Sequence, residues 1–229
     1  MMLTQSKSQI YKSQLRGRIE ENGYKCLATF NYAEYFDESR KPFGTVSIIN
    51  DETLGPKKSI HYLNREPETI MVIPLVGSVK YIPKNKDVDI IETEEIVIIH
   101  TESKASFELQ NPYEEALINF LQIRLKASNS KDLHFNKKSF TINHHGVLNQ
   151  IYESAAVKVF IGGFYAGQEG KLELDATKKG VLCFVINGCF EFQNRLLESR
   201  DSLAIWNEET IEWEALTSDG ILLIIETPI

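Results

Sequence analysis

Two short segments in the first half of the chain contain residue types that bind transition metals. One segment carries His61 and the other carries His100. The carboxylates within a few residues of these histidines are Glu66, Glu68, Glu102 and Glu108. Neutral imidazole and carboxylate groups together hold divalent iron-group or copper ions. A metal site in this part of the chain would therefore require His61 and His100 to converge with a carboxylate.

The expected strand geometry opposes this convergence in part. Successive side chains of a β-strand point to opposite faces of the sheet. Leu63 and Arg65 would therefore share the face of His61. Glu66 would lie on the opposite face. We expect no bound metal or other cofactor, and we keep His61 and His100 only as fallback metal ligands.

The three cysteines, Cys26, Cys183 and Cys189, do not indicate a metal site or a disulfide framework. Their number is odd, and no two of them have the C-x-x-C spacing of a metal site. Unpaired thiols fit a reducing compartment. We therefore expect three structural thiols in a cytoplasmic protein.

The elements expected to position these residues are short β-strands. Apolar runs rich in β-branched residues recur along the chain and end at Gly, Pro, Asn or Asp, which is typical of strands. They cover residues 45–49, 69–76, 79–82, 96–100, 117–125, 158–164, 171–174, 181–186, 189–193, 202–205, 210–215 and 221–226. Helical periodicity is confined to residues 33–37 and 146–154. The pattern predicts an all-β fold in two domains, 1–126 and 127–229.

The clearest local prediction is a β-hairpin at Asn187-Gly188, a residue pair that favours a type I′ turn. A two-residue loop would pair Ile186 with Cys189. It would also place Cys183 and Cys189 on opposite faces of the sheet. The residues expected to share one core face are Cys183, Val185, Phe190 and Phe192.

Composition excludes several classes of protein. The 229 residues are 42% hydrophobic and 25% charged, so the chain can bury a core. The net charge is −7, and the absence of a dense basic stripe excludes direct binding to nucleic acid. No run approaches the length of an apolar membrane span, and residues 1–19 lack the apolar stretch of a signal peptide. We therefore expect a cytoplasmic monomer or homodimer with no membrane partner.

Two segments of the chain resemble a known family. Residues 16–56 contain an Arg-Gly start, a Phe-x-x-Ala-x-Tyr stretch, a Phe-Gly pair and an apolar run that ends in Asn-Asp, like the N-terminal domain of the pirin family. The matching residues are Phe30, Ala33, Tyr35, Phe43, Gly44, Ile49, Asn50 and Pro56. Residues 172–228 resemble the C-terminal domain of the quercetinase-like bacterial pirins. The resemblance implies a bicupin, in which each of two cupin domains is a double-stranded β-helix of antiparallel strands.

The resemblance also implies where a metal would bind. Pirins with quercetinase activity hold a metal in the first cupin with two histidines on one strand and a His-x-Glu pair on a later strand. Counting back from Gly77, the two histidine positions fall on Leu63 and Arg65. The His-x-Glu positions fall on Phe107 and Leu109. All four expected ligands are therefore missing, and Arg65 would place a permanent cation where a dication should bind.

These substitutions leave two main hypotheses. The first is a pirin-like bicupin with a degenerate metal site, which acts as a non-catalytic binding or interaction protein for a small molecule or a protein partner. The second is a metal-dependent quercetin 2,3-dioxygenase-like oxidoreductase whose ligands have moved to His61 and His100. A third possibility is a metal-free isomerase or lyase that uses Arg65 with Glu68 or Glu102.

Overall fold

The computed structural model describes residues 7–84, 87–126, 135–143, 145–174 and 179–229. Strands form nearly all of the regular structure, and the all-β prediction is confirmed. The first twelve strands are β1 (Ser8–Tyr11), β2 (Gly17–Glu21), β3 (Tyr24–Ala28), β4 (Val46–Leu54), β5 (Ser59–Leu63), β6 (Glu68–Val76), β7 (Val79–Pro83), β8 (Asp89–Ile91), β9 (Glu95–Thr101), β10 (Ser106–Gln110), β11 (Ile118–Lys126) and β12 (Phe135–Ser139). The next nine are β13 (Leu148–Glu153), β14 (Lys158–Phe164), β15 (Glu169–Glu173), β16 (Lys179–Asn187), β17 (Phe190–Phe192), β18 (Arg195–Leu197), β19 (Ser202–Trp206), β20 (Thr210–Ala215) and β21 (Gly220–Pro228).

The strands are divided between two compact units. The first unit comprises Gly17–Phe140, and the second comprises the chain up to Arg16 together with Thr141–Ile229. The first unit contains a seven-stranded sheet, in the order β12-β9-β6-β11-β4-β3-β2, and a four-stranded sheet, in the order β5-β10-β7-β8. The second unit contains a six-stranded sheet, β1-β19-β16-β21-β14-β13, and a four-stranded sheet, β15-β20-β17-β18. Each unit is thus built from two antiparallel sheets.

The core of the first unit lies between its two sheets. The four-stranded sheet contributes buried side chains such as Tyr62 and Phe107, and the seven-stranded sheet contributes Ile70, Val97 and Phe120 to the same apolar cluster. Alternation along each strand directs every second side chain into this cluster. The interior of the first unit is therefore set by the inward positions of β5, β6, β9, β10 and β11.

The two units differ from the predicted domains at both ends. β12 lies beyond residue 126, yet it pairs with β9 of the first unit. β1 lies near the start of the chain, yet it pairs with β19 of the second unit from Ser8↔Ile205 to Tyr11↔Ser202. Residues 127–134, which follow the predicted boundary directly, lie outside the described residues. Sequence periodicity identifies strands but not the strands they pair with. β1 and β12 belong to their units because of those pairings.

The predicted hairpin at Asn187-Gly188 is wrong. β16 pairs with β19 and β21, whereas β17 pairs with β18 and β20 in the other sheet of the second unit. Only Gly188 of the pair has a positive φ, +81°, so the turn is not type I′. The chain changes sheet at this point because the alternating apolar residues on both sides fill one core between two sheets. Cys183, Val185, Phe190 and Phe192 do share that core, as predicted.

The two predicted helical segments are also wrong. Residues 33 and 34 form a turn that is closed by the Tyr32↔Tyr35 bridge, residues 36 and 37 have no regular structure, and residues 146–154 contain β13. The helical structure in the described chain is one 3-10 turn, Ser13–Leu15. No helix among the described residues is long and apolar enough to cross a membrane.

Candidate functional site

The paired strands β5 and β10 decide which side chains face the interior of the first unit. Their register places Phe107 opposite Tyr62 and Leu109 opposite Ile60. The rings of Tyr62 and Phe107 stack with their centroids 5.1 Å apart, and both residues are buried. Leu109 is also fully buried in the core. Phe107 and Leu109 therefore line the interior.

Leu63 and Arg65 do not line the interior, contrary to the prediction for these two positions. Leu63 has 68% of its surface exposed, and Arg65 is exposed as well. The buried residues in this segment are Tyr62 and Asn64. The prediction counted back from Gly77, but β6 begins at residue 68 and β5 ends at residue 63. The inward positions are Tyr62 on β5 and Ile70 and Val72 on β6, so Leu63 falls on the outward face of β5 and Arg65 lies in the turn that follows this strand.

The two fallback ligands lie on outward faces. The side chain of His61 is 78% exposed, and its Nε2 lies 3.4 Å from Oε2 of Glu108, its neighbour across the strand pair. His100 follows the core residue Ile99 on β9 and is half-buried on the opposite face. Its Nδ1 is hydrogen-bonded to the hydroxyl of Thr69 over 2.8 Å. The structure therefore does not bring His61 and His100 together inside the first unit.

Behind the stacked rings lies a group of buried polar side chains, called here the Glu52 cluster. Its members are Asn50, Glu52, Tyr62, Glu68, Gln122 and Arg124. Glu52 is fully buried, accepts a hydrogen bond from the hydroxyl of Tyr62 and accepts a second one from Nδ2 of Asn50 over 3.3 Å. Burial raises the pKa of Glu52, although these hydrogen bonds and the charge of Arg124 act in the opposite direction.

Arg124 connects the Glu52 cluster to its more exposed edge. Its Nε donates to Oε1 of Gln122 over 2.7 Å, and its Nη1 lies 3.3 Å from Oε2 of Glu68. The guanidinium also lies over the ring of Tyr62, 5.2 Å from the ring centroid. The cluster therefore holds one cation between two carboxyl groups at the end of the apolar core.

Two atoms of the Glu52 cluster have no hydrogen-bond partner among the described residues. They are Oδ1 of Asn50 and Nε2 of Gln122, both in fully or almost fully buried side chains. Buried polar groups without partners are costly, and most are satisfied by protein or by ordered water. Sequence reasoning missed this cluster because it treated Asn50 only as part of a family motif. The available signal was the run of four polar residues, 50–53, that follows the apolar residues 48–49 in β4.

A second feature of the interior is a row of four aromatic rings. Phe107 stacks on Tyr62 and packs against Tyr81 at a centroid distance of 5.6 Å. Tyr81 in turn stacks on Phe135, with centroids 5.2 Å apart and planes 18° apart. Burial raises the pKa of Tyr81 to about 12. A cavity of about 320 Å³ lies beside Phe107, Tyr81 and Phe135.

Comparisons with known proteins decide the fold. The chain superimposes on the bacterial pirin YhhW from Escherichia coli, determined in complex with nickel(II), with a TM-score of 0.83 and 18% identity over 97% of this chain and 99% of that chain. The chain has the pirin-like bicupin fold. A quercetin 2,3-dioxygenase from Acinetobacter baumannii matches this bicupin with a TM-score of 0.74 and 15% identity over 98% of this chain and 87% of that chain.

The sequence comparisons concern the second half of this pirin-like bicupin. Residues 149–226 match the family model described as the quercetinase C-terminal cupin domain. The protein YhaK from Escherichia coli is a further structural match, with a TM-score of 0.72 and 17% identity over 95% of each chain. A search of curated protein sequences finds no match.

The family resemblance implies two histidines and a His-x-Glu pair as metal ligands, and no histidine or glutamate occupies the inward positions of β5 and β10. The inward positions of β5 and β10 hold Tyr62, Phe107 and Leu109, and the stacked rings contain no metal-binding atom except the phenol oxygen that is hydrogen-bonded to Glu52. Within the described ranges, no three His, Cys, Asp or Glu residues are grouped so that they could hold a metal ion.

Proposed function

We propose that this pirin-like bicupin is a non-catalytic binding protein whose first unit works without a metal ion. The observation that carries the proposal is the stacked pair Tyr62 and Phe107, which fills the inward face of β5 and β10. The phenyl ring of Phe107 and the isobutyl group of Leu109 offer no lone pair to a metal ion. An interior of aromatic and aliphatic side chains with a few polar groups is instead the usual lining of a small-molecule pocket.

The positions of the two histidines support the same proposal. A dioxygenase with relocated ligands needs His61 and His100 at one metal ion. His61 is already engaged by Glu108 on one outward face, and His100 is hydrogen-bonded to Thr69 on another. Both strands would have to turn over to bring these imidazoles inside.

The proposal places the protein in the cytoplasm and gives it a small-molecule partner. All three cysteines lie in the described part of the chain and none of them forms a disulfide; Cys26 and Cys183 are buried, which suits a reducing compartment. The net charge of −7 argues against a polyanionic partner such as nucleic acid.

Metal analysis tests the proposal. Protein without an affinity tag is incubated in turn with nickel(II), iron(II), copper(II), manganese(II) and zinc(II), desalted, and analysed for metal per chain. The bacterial pirin YhhW, prepared in parallel, serves as the positive control for nickel. We expect far less than one equivalent of every metal in this protein. Stoichiometric retention of one metal would contradict the proposal.

The same preparations distinguish the dioxygenase hypothesis. Each is mixed with quercetin in air, and the flavonol absorbance is followed over time. We expect the rate of a protein-free control. A metal-dependent loss of absorbance that disappears in His61→Ala and in His100→Ala would establish the enzyme with relocated ligands.

A further inference from the structure

The cavity beside the aromatic row is lined by positively charged residues as well as by aromatic ones. Besides Tyr81, Phe107 and Phe135, the residues that line it include Lys84 and Lys104. None of the described residues that line it is acidic. Neither lysine forms an ion pair with any carboxylate in the described part of the chain. The described lining of the cavity therefore combines aromatic residues with two lysines and no acidic residue.

The dimensions of this cavity suit a small planar molecule. Its volume of about 320 Å³ lies within the range of small-molecule sites. The rings of Tyr81 and Phe135 already stack on each other, and Phe107 tilts against Tyr81 by 50°. Offset-stacked and tilted arrangements are the favourable geometries for aromatic contacts, so these walls can accept another ring.

From these observations we propose that the cavity binds an aromatic carboxylate. The aromatic part lies against Phe107, Tyr81 and Phe135, and the carboxylate accepts hydrogen bonds from Lys104 and Lys84. Charge-assisted hydrogen bonds of this kind are stronger than neutral ones, and they select an anion over a neutral molecule of the same shape. This assignment rests on the proposed function, since it names the ligand class of the metal-free first unit.

Lys104 is the more decisive of the two cations. Lys84 also lines an adjacent cavity that contains Asp87 and Asp89. Asp89 forms an ion pair with Lys137 at 3.0 Å, whereas Asp87 lines the same adjacent cavity as Lys84 and competes for its ammonium group. The ammonium of Lys104 is free of that competition because Lys104 does not line the adjacent cavity.

The test uses a matched pair of probes, 2-naphthoate and its neutral analogue 2-naphthalenemethanol, titrated into the full chain by calorimetry. We expect 2-naphthoate to bind and the alcohol to bind several times more weakly. Lys104→Gln should lower the affinity for 2-naphthoate by about fivefold, which is within the range measured for partly exposed ion pairs. Lys80→Gln, on β7 but outside the cavity lining, is the control and should leave the affinity unchanged.

Two further measurements distinguish binding at a specific site from non-specific hydrophobic binding. Raising the salt concentration from about 50 to about 300 mM should lower the affinity for 2-naphthoate and leave the affinity for the alcohol unchanged, because salt screens charges. Phe135→Leu keeps an apolar side chain at the half-buried edge of the cavity and should weaken both probes. Thermal unfolding of each variant shows whether it is folded.

Several results would overturn the inference. These are equal affinity for the two probes, no detectable binding at about 1 mM probe, or the same affinity in Lys104→Gln as in Lys80→Gln. Metal content of the same preparation is measured in parallel. If the protein is free of metal and does not bind 2-naphthoate, only the proposed ligand class is refuted. If it contains one metal ion per chain, the proposed function itself is refuted.

Discussion

The hydroxyl of Tyr62 donates a hydrogen bond to the fully buried carboxyl group of Glu52. The same tyrosine ring stacks on Phe107. Tyr62 thus joins the Glu52 cluster to the aromatic row, and it does so from an inward position of β5 where the family resemblance led us to expect a metal-bearing strand. The interior of the first unit is organised around this residue.

Removal of the Tyr62 hydroxyl should destabilise the first unit. In Tyr62→Phe the stacking on Phe107 remains, but the buried carboxyl of Glu52 loses a donor. We expect a loss of about 1 to 3 kcal/mol in the free energy of unfolding, the typical cost of a buried polar group left without its partner. Urea unfolding followed by circular dichroism measures it. Tyr152→Phe on β13 is the control, and an equal effect in both variants would contradict the role of the hydroxyl.

The raised pKa of Glu52 predicts a specific pH dependence. Between the ordinary glutamate pKa and the raised value, the folded chain binds more protons than the unfolded chain. Stability contributed by this group is therefore complete at low pH and is lost as the pH rises through the folded pKa. Glu52→Gln should abolish this loss, so that the variant gains stability relative to the natural chain as the pH increases. Urea midpoints at a series of pH values test this, and parallel pH profiles for the two proteins would refute it.

Asp201 should show the opposite pH dependence. Burial alone would raise its pKa, but hydrogen bonds from Lys12 Nζ at 2.6 Å, the Ser13 amide at 2.7 Å and the Glu198 amide at 3.1 Å together lower it. Its contribution is present above the ordinary aspartate pKa and is lost as the pH falls through the lowered value.

Asp201→Asn should therefore lower the free energy of unfolding by about 1 to 3 kcal/mol near neutral pH, as for a broken network with a charged acceptor. The difference from the natural chain should shrink in acid. Lys12→Gln should cost less, because the Lys12 side chain is 40% exposed. A larger cost for Lys12→Gln than for Asp201→Asn would contradict this account of how β1 is held to the second unit.

Gly170 should not tolerate a side chain. It pairs with Trp213 across β15 and β20, and a Cβ at this glycine would lie 2.2 Å from the indole ring. Trp213 is only 5% exposed and cannot move away without disturbing the core. Gly170→Ala should cost about 1 to 3 kcal/mol, as overpacking does, and should change the tryptophan fluorescence. Lys171→Ala, next to it on the exposed face, should be nearly neutral, and similar losses in both would argue against the steric explanation.

Sequence reasoning recovered the strands better than their partners. The runs 158–164 and 210–215 coincide with β14 and β20, because alternating apolar residues mark the strands that face a core. β2, β3 and β12 carry polar or mixed residues and were not found. The pairing of β1 with β19 joins residues nearly two hundred positions apart, and no local pattern contains that information.

The sequence also indicates only part of the candidate site, because side-chain alternation relates residues of one strand and not residues of different strands. Phe107 and Leu109 share the inward face of β10 because they are two positions apart on one uninterrupted strand. Leu63 lies on the outward face because it alternates with the inward Tyr62 on β5, and Arg65 lies in the turn before β6. The Glu52 cluster requires residues from β4, β5, β6 and β11 at once, so only the folded chain shows it.

We propose that aromatic packing takes the place of metal coordination in the first unit, and a calorimetric titration with nickel(II) measures metal binding itself. The protein is stripped of metal with a chelator and carries no affinity tag, and YhhW is titrated under the same conditions. We expect saturable one-to-one binding for YhhW and only the heat of dilution for this protein. A one-to-one isotherm for this protein that is lost in His61→Ala or His100→Ala would show that the first unit holds a metal after all.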